Sequence, residues 1–151
     1  MGQAAIAFAW NKDPAREISG WESVGRELES RHLLDRPNSF LITNHWYDSG
    51  QLAFCVRNRV PVVCYNRGDA RGFAYWSRPE EWVGKNGLLI TVEETANLDA
   101  YRLYFRSIEL LDTFAMSRFG RPFRPVQVHL CTEQLKPFPF TYEKSAAADR
   151  E

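Results

Sequence analysis

Much that would announce a function is missing from this sequence. No apolar run approaches the roughly 20 residues that cross a bilayer as a helix, so no membrane span is expected within it. The opening run Ala4-Ala5-Ile6-Ala7-Phe8-Ala9-Trp10 is too short to span and lacks the positive leader of a signal peptide. It reads either as a first strand or as the stub left just after a membrane helix. Net charge is absent too, 19 basic residues balancing 19 acidic ones. The arginines are spread rather evenly, so no basic stripe is legible, and binding to nucleic acid through counterion release is not expected. Cysteine is scarce. Cys55, Cys64 and Cys131 form no CxxC and no Cys/His metal spacing, so no metal site is expected. Buried free thiols are the expectation for Cys55 and Cys64, one disulfide stays open, and the redox compartment is not determined.

The motifs of nucleotide and hydrolytic enzymes are lacking as well. There is no GxGxxG and no GxxxxGK[ST], and the first strand–helix turn holds no glycine until Gly50. A dinucleotide phosphate would meet side chains there instead of bare backbone, and no cofactor is expected. No GxSxG or Cys–His pairing is legible either. The adjacent pairs Glu80-Glu81 and Glu93-Glu94 would point to opposite faces of a strand, which suits solvation better than a two-carboxylate site.

What is present is an ordinary globular composition, 44% hydrophobic and 25% charged over 151 residues. That suits one domain, read as residues 1–144, followed by a small, polar, disordered tail over 145–151. After the turn Asn11–Pro14, a helix is expected over Ser19–His32, with Ser19 and Glu22 as a capping box and Trp21, Val24 and Leu28 on its inner face. Ser39–Thr43, Val60–Tyr65 and Leu88–Val92 are short, continuous apolar runs, the mark of strands buried on both faces. A second helix is expected from Asp48 or Ser49 to about Asn58, its inner side carrying Leu52, Ala53, Val56 and Phe54. A short one is expected at Ser77–Trp82. Another, capped by Asn97 or Asp99, would carry Leu98, Tyr101, Tyr104 and Phe105. From Ser107 the period becomes two, blurred at Leu111-Asp112, and after a turn at Gly120–Pro122 a second strand alternates through Val126, Val128 and Leu130. The sum predicts an α/β protein: a three-layer αβα arrangement with a mostly parallel, Rossmann-like sheet and a C-terminal antiparallel hairpin.

Open parallel sheets bind ligands beyond the carboxyl ends of their strands. Here those ends are Asn44–Asp48, Asn66–Asp69 and Glu93–Thr95, so the candidate ligand-binding residues are Asn44, His45, Tyr47, Asp48, Asn66 and Arg67. No catalytic residue is assigned. His45 is the most interesting titratable group, His32 reads as a surface residue at a helix end, and His129 as facing outward on its strand. The aromatic cluster Phe73, Tyr75, Trp76 and Trp82 is either a set of core lids or a face for a partner domain or membrane surface. Phe138, Phe140 and Tyr142, spaced by prolines, read as an extended aromatic segment against the domain.

The order Asp13-Pro14, Trp21 opening a helix, a buried strand, Tyr47 in a loop, Gly50-Gln51-Leu52-Ala53-Phe54, a Val-Pro-Val strand, Tyr75-Trp76 and Gly87-Leu88-Leu89-Ile90 resembles a known pattern. It resembles the soluble C-terminal domain of bacterial polytopic membrane glycosyltransferases, similar to the dolichyl-phosphate-mannose–protein mannosyltransferases and the aminoarabinose–lipid A transferases. The resemblance spans about residues 11 to 142. In that family the catalytic acidic residues lie in loops between membrane helices, so none transfers to this chain. It implies a non-catalytic accessory domain, a fragment of a larger membrane protein, on the periplasmic side of the inner membrane. Its partners would be the membrane-embedded part of the same polypeptide and a polyprenyl-phosphate sugar or its acceptor, and no nucleic acid. Cys55 departs from the pattern, which often has Tyr there. The alternative is a free-standing, cytoplasmic α/β domain or enzyme that binds a small molecule at the strand ends.

Overall fold

The computed structural model describes residues 14–66, 78–92 and 97–139, with side chains from Gly20 onward. The run Ala4–Trp10, Arg67, the aromatics Phe73, Tyr75 and Trp76, the Glu93-Glu94 pair, Phe140, Tyr142 and the tail 145–151 lie outside the described residues.

Helix α1 (Pro14–Ser30) begins five residues before the expected Ser19, which therefore falls inside the helix and not at its cap. Proline is well suited to a first turn, where its missing N–H has no partner to lose. At the other end His32 takes a left-handed conformation (φ 57°), and the Leu33 N–H reaches back to the Leu28 carbonyl at 2.9 Å, satisfying an otherwise orphaned acceptor. Strand β1 (Ser39–Thr43) leads into α2 (Trp46–Cys55) and then β2 (Val62–Cys64). A 3₁₀ turn at Pro79–Trp82 precedes β3 (Asn86–Val92), and a single helical turn, α3 (Asp99–Arg102), precedes the hairpin β4 (Phe105–Arg118) and β5 (Arg121–Gln134). Phe105, expected on a helix, opens β4 instead.

The expected three-layer, Rossmann-like arrangement is not what forms. The sheet is mixed and mostly antiparallel, in the order β2-β1-β3-β5-β4, and among the described residues strand outweighs helix. Strands β2, β1 and β3 do run parallel, but they are short, while β4 and β5 have 14 residues each. Antiparallel pairing therefore dominates the ladder. It is β5, not β4, that joins β3, because Val126, Val128 and Cys131 offer buried side chains to both faces and belong in the sheet interior. The more polar β4 takes the edge.

Both faces of the sheet are buried, by different means. On the first, Trp21, Val24 and Leu28 of α1, Leu52 of α2 and Val56 just past its end cover Leu41, Leu88, Ile90, Val126 and Val128. Phe54, expected inside, is exposed. On the second face no long helix is described. Among the described residues, aromatic rings cover it: Trp82, Tyr65, Tyr101, Tyr104 and Phe138 pack over Phe40, Ile42, Leu89 and Cys131. Trp82, only 6% exposed, lies 4.8 Å from the Phe40 ring, so this ring belongs to the core and not to a docking face. Phe138 stacks on Tyr65 at 4.4 Å, while the Tyr65 hydroxyl donates to Gln134 Oε1 at 2.6 Å and Gln134 Nε2 donates to the Lys136 carbonyl. Burial holds the Tyr65 phenol protonated well above its ordinary range. Covering both faces also overturns the outward reading of His129. On an interior strand there is no outward side, and His129 is 6% exposed.

A candidate aromatic and amide ledge at the strand ends

Parallel pairing of β1 with β2 sets Thr43 against Cys64, so the segments following both strands emerge side by side. Asn66 Nδ2 donates to the Asn44 carbonyl at 2.8 Å, bringing two of the candidate residues together. The turn between β1 and α2 is held from within. The Thr43 hydroxyl donates to the His45 carbonyl at 2.9 Å and makes a short hydrogen bond with the Ser49 hydroxyl, both groups being buried. His45, extended at φ −130°, is the N-cap residue of α2, and the Ser49 N–H bonds to its carbonyl as the helix begins.

That turn presents a row of rings. His45 and Tyr47 stack face to face, centroids 5.0 Å apart and planes within 5°, and Trp46 meets Tyr47 edge-on at 5.7 Å. Trp46 is 37% exposed and Tyr47 44%, while Asn44, His45 and Asp48 are half-buried beside them. Of the six candidate residues, five thus fall at one edge of the sheet, and Arg67 lies outside the described residues. Sequence reasoning passed over Trp46 as a ligand group. The adjacency of two aromatics to an amide at a strand end was its available signal.

Such a ledge has a definite chemistry. Ring faces accept the C–H faces of flat apolar or sugar-like ligands, and the neighbouring amides donate to or accept from hydroxyls. The three described histidines are scattered: His32 is exposed at the end of α1, His45 is on the ledge, and His129 is inside the sheet. Among the described residues no three of His, Cys, Asp or Glu cluster as a metal site would require. The three cysteines are free thiols, Cys64 and Cys131 buried and Cys55 partly so.

Fold and ledge together define an α/β protein with a mixed five-stranded sheet, long helices on one face, and a ring-lined open edge. No protein-family model, no curated protein and no solved structure matches this chain. Among the described residues no helix is long and apolar enough to cross a membrane.

Proposed function

We propose that the chain is a non-catalytic accessory domain of a membrane glycosyltransferase that transfers a sugar from a polyprenyl-phosphate donor, and that its ledge holds the sugar or the acceptor. The observation that supports this is the row of rings, half-buried His45 with exposed Tyr47 and Trp46, beside the Asn44–Asn66 pair. Rings flanked by amides are suited to carbohydrate, whose faces alternate C–H and hydroxyl groups. The reacting carboxylates would belong to the membrane-embedded part of the same polypeptide, with this domain at the periplasmic side of the inner membrane.

The test is a titration of the protein with a short-chain polyprenyl-phosphate hexose and with the free sugar, followed by tryptophan fluorescence and calorimetry. Tyr47→Ala is expected to weaken binding about tenfold, the equivalent of about 1.4 kcal/mol, with an unchanged melting temperature. No binding of either compound sinks the ledge reading. Reading the gene upstream of Met1 tests the other half, since a stop codon with no preceding membrane segments defeats the accessory role. In that case sugar binding would instead favour a free-standing binding domain.

A further inference from the structure

Asn66 stands on the ledge, but the groups that place it come from the opposite end of the chain. Strand β2 stops at Cys64, and past it the Tyr65 N–H donates to the Thr43 carbonyl at 2.9 Å. The Tyr65 carbonyl accepts from the Tyr101 hydroxyl, also at 2.9 Å, across 36 residues of sequence. That carbonyl oxygen shares one rigid peptide plane with the nitrogen and α-carbon of Asn66. Fixing the plane constrains where the Asn66 side chain leaves the backbone. From there Asn66 Nδ2 reaches the Asn44 carbonyl at 2.8 Å.

Tyr65 is also held at the far end of its ring. Its hydroxyl donates to Gln134 Oε1 at 2.6 Å, across 69 residues, and its face stacks on Phe138 at 4.4 Å. Tyr101 is 5% exposed, with its ring centroid 6.0 Å from that of Phe138. A phenylalanine would fill that space equally well, and a buried hydroxyl is unfavourable unless it is hydrogen-bonded. The Tyr101 hydroxyl therefore has its use in the bond it makes, and that bond ends on the peptide beside the ledge. The Asn44 side is held locally, since the Thr43 hydroxyl bonds to His45 and Ser49, two and six residues away.

We infer that Tyr101 is a positioning residue for the ledge: from α3 it sets the Tyr65–Asn66 peptide and thereby holds the Asn66 amide beside Asn44 and the rings. Its action is indirect, through the Tyr65 carbonyl. The inference rests on the reading that the ledge receives a sugar or its acceptor. An amide recognises a hydroxyl only within a narrow range of distance and angle, so a displacement of about 1 Å weakens that recognition. Contact with a ring face is less directional. Loss of the Tyr101 hydroxyl therefore bears on the amide half of the ledge and spares the rings.

The experiment is calorimetric titration of Tyr101→Phe with the short-chain polyprenyl-phosphate hexose and the free sugar, alongside heteronuclear NMR of the side-chain amides in the full chain. Removing the hydroxyl is expected to weaken binding about fivefold, in keeping with one hydrogen bond made imperfect. The Asn66 amide resonances are expected to shift and to exchange faster with water. Those of Asn38, which donates to the Gly84 carbonyl at the other end of β1, are expected to stay in place. Tyr104→Phe, in the same ring cluster, is expected to leave affinity and the Asn66 resonances unchanged. In an Asn66→Ala background Tyr101→Phe is expected to cause no further loss, because the two residues act in series. Additive losses overturn the inference, as do unmoved Asn66 resonances in Tyr101→Phe. An equal response to Tyr104→Phe overturns it as well, since it marks a general loosening of the rings. Tyr65→Phe releases the far end of the ring and leaves the carbonyl bond, so it is expected to have the smaller effect on affinity, and a larger one reverses the assignment. Binding of neither compound by the parent chain sinks the ledge reading alone, and the Asn66 resonances then decide the placement by Tyr101.

Discussion

His129 shows how a residue's role changes with its surroundings. Its Nδ1 is buried with no hydrogen-bond partner among the described residues, as is the Thr91 hydroxyl. Burial holds the imidazole below its ordinary pKa, because the charged form would lose its water. The unfolded chain therefore takes up a proton first as pH falls. Stability is full above about pH 6.5 and declines as pH drops toward the depressed folded value, by at most about 1.4 kcal/mol per pH unit. Urea unfolding between about pH 7 and pH 5 measures this slope. His129→Gln is expected to flatten it, and an unchanged slope would refute the assignment. His45 and His129 were equally visible as letters. Nothing local distinguishes a ring on a ledge from one inside a sheet, since burial is decided by what packs above.

The hairpin carries lessons at the scale of an element. The blur at Leu111-Asp112 in an otherwise two-residue period is a real feature, a register shift between Leu110 and Asp112. Such a bulge adds a residue to one strand and bends it. Asp112, freed from strict alternation, accepts from Arg31 Nη1 at 2.7 Å across to α1, and Arg31 lies 5.0 Å over the Phe114 ring. The guanidinium holds the Asp112 carboxyl below its ordinary pKa, although exposure keeps the energetic value of this pair small. A second irregularity between Met116 and Ser117 aligns with Phe123 packing toward α1. Close approach at Gly20, where a Cβ would collide with Met116 and Phe123, is the condition for this docking. Gly20→Val is expected to cost about 1–3 kcal/mol by overpacking, measured by denaturant unfolding, and Phe123→Ala in the same chain to recover part of that loss. Additive losses would show that the helix and hairpin are not in steric register.

At the scale of the whole molecule, the two faces of the sheet are unlike. One is covered by helices, the other, among the described residues, by rings and extended chain, with Cys131 beneath them. Burial pushes the Cys131 thiol up to about 12, so its reactive thiolate is scarce as long as the fold is intact. Cys55, between α1 and α2, is only partly covered, and its thiol is also shifted up by burial and by Glu22. Iodoacetamide labelling followed by mass spectrometry is expected to modify Cys55 slowly in the native protein. Cys64 and Cys131 should react only at the rate of global unfolding. Labelling of Cys131 as fast as Cys55 would mean that the aromatic face opens on its own.

The sequence alone determined the order and kind of most elements, since periodicity acts over a few residues and survives without tertiary context. Trp21, Val24 and Leu28 on one helical stripe, the buried runs at Phe40–Ile42 and Leu88–Ile90, and the alternation through Val126–Leu130 are all local signals. It also brought Asn44, His45, Tyr47, Asp48 and Asn66 into consideration, because strand ends are readable wherever apolar runs stop. The tertiary structure alone decided the strand order, the insertion of β5 beside β3, and the aromatic packing over the second face of the sheet. These depend on which faces find partners far along the chain, and pairing between distant segments leaves no trace in the spacing of neighbouring residues.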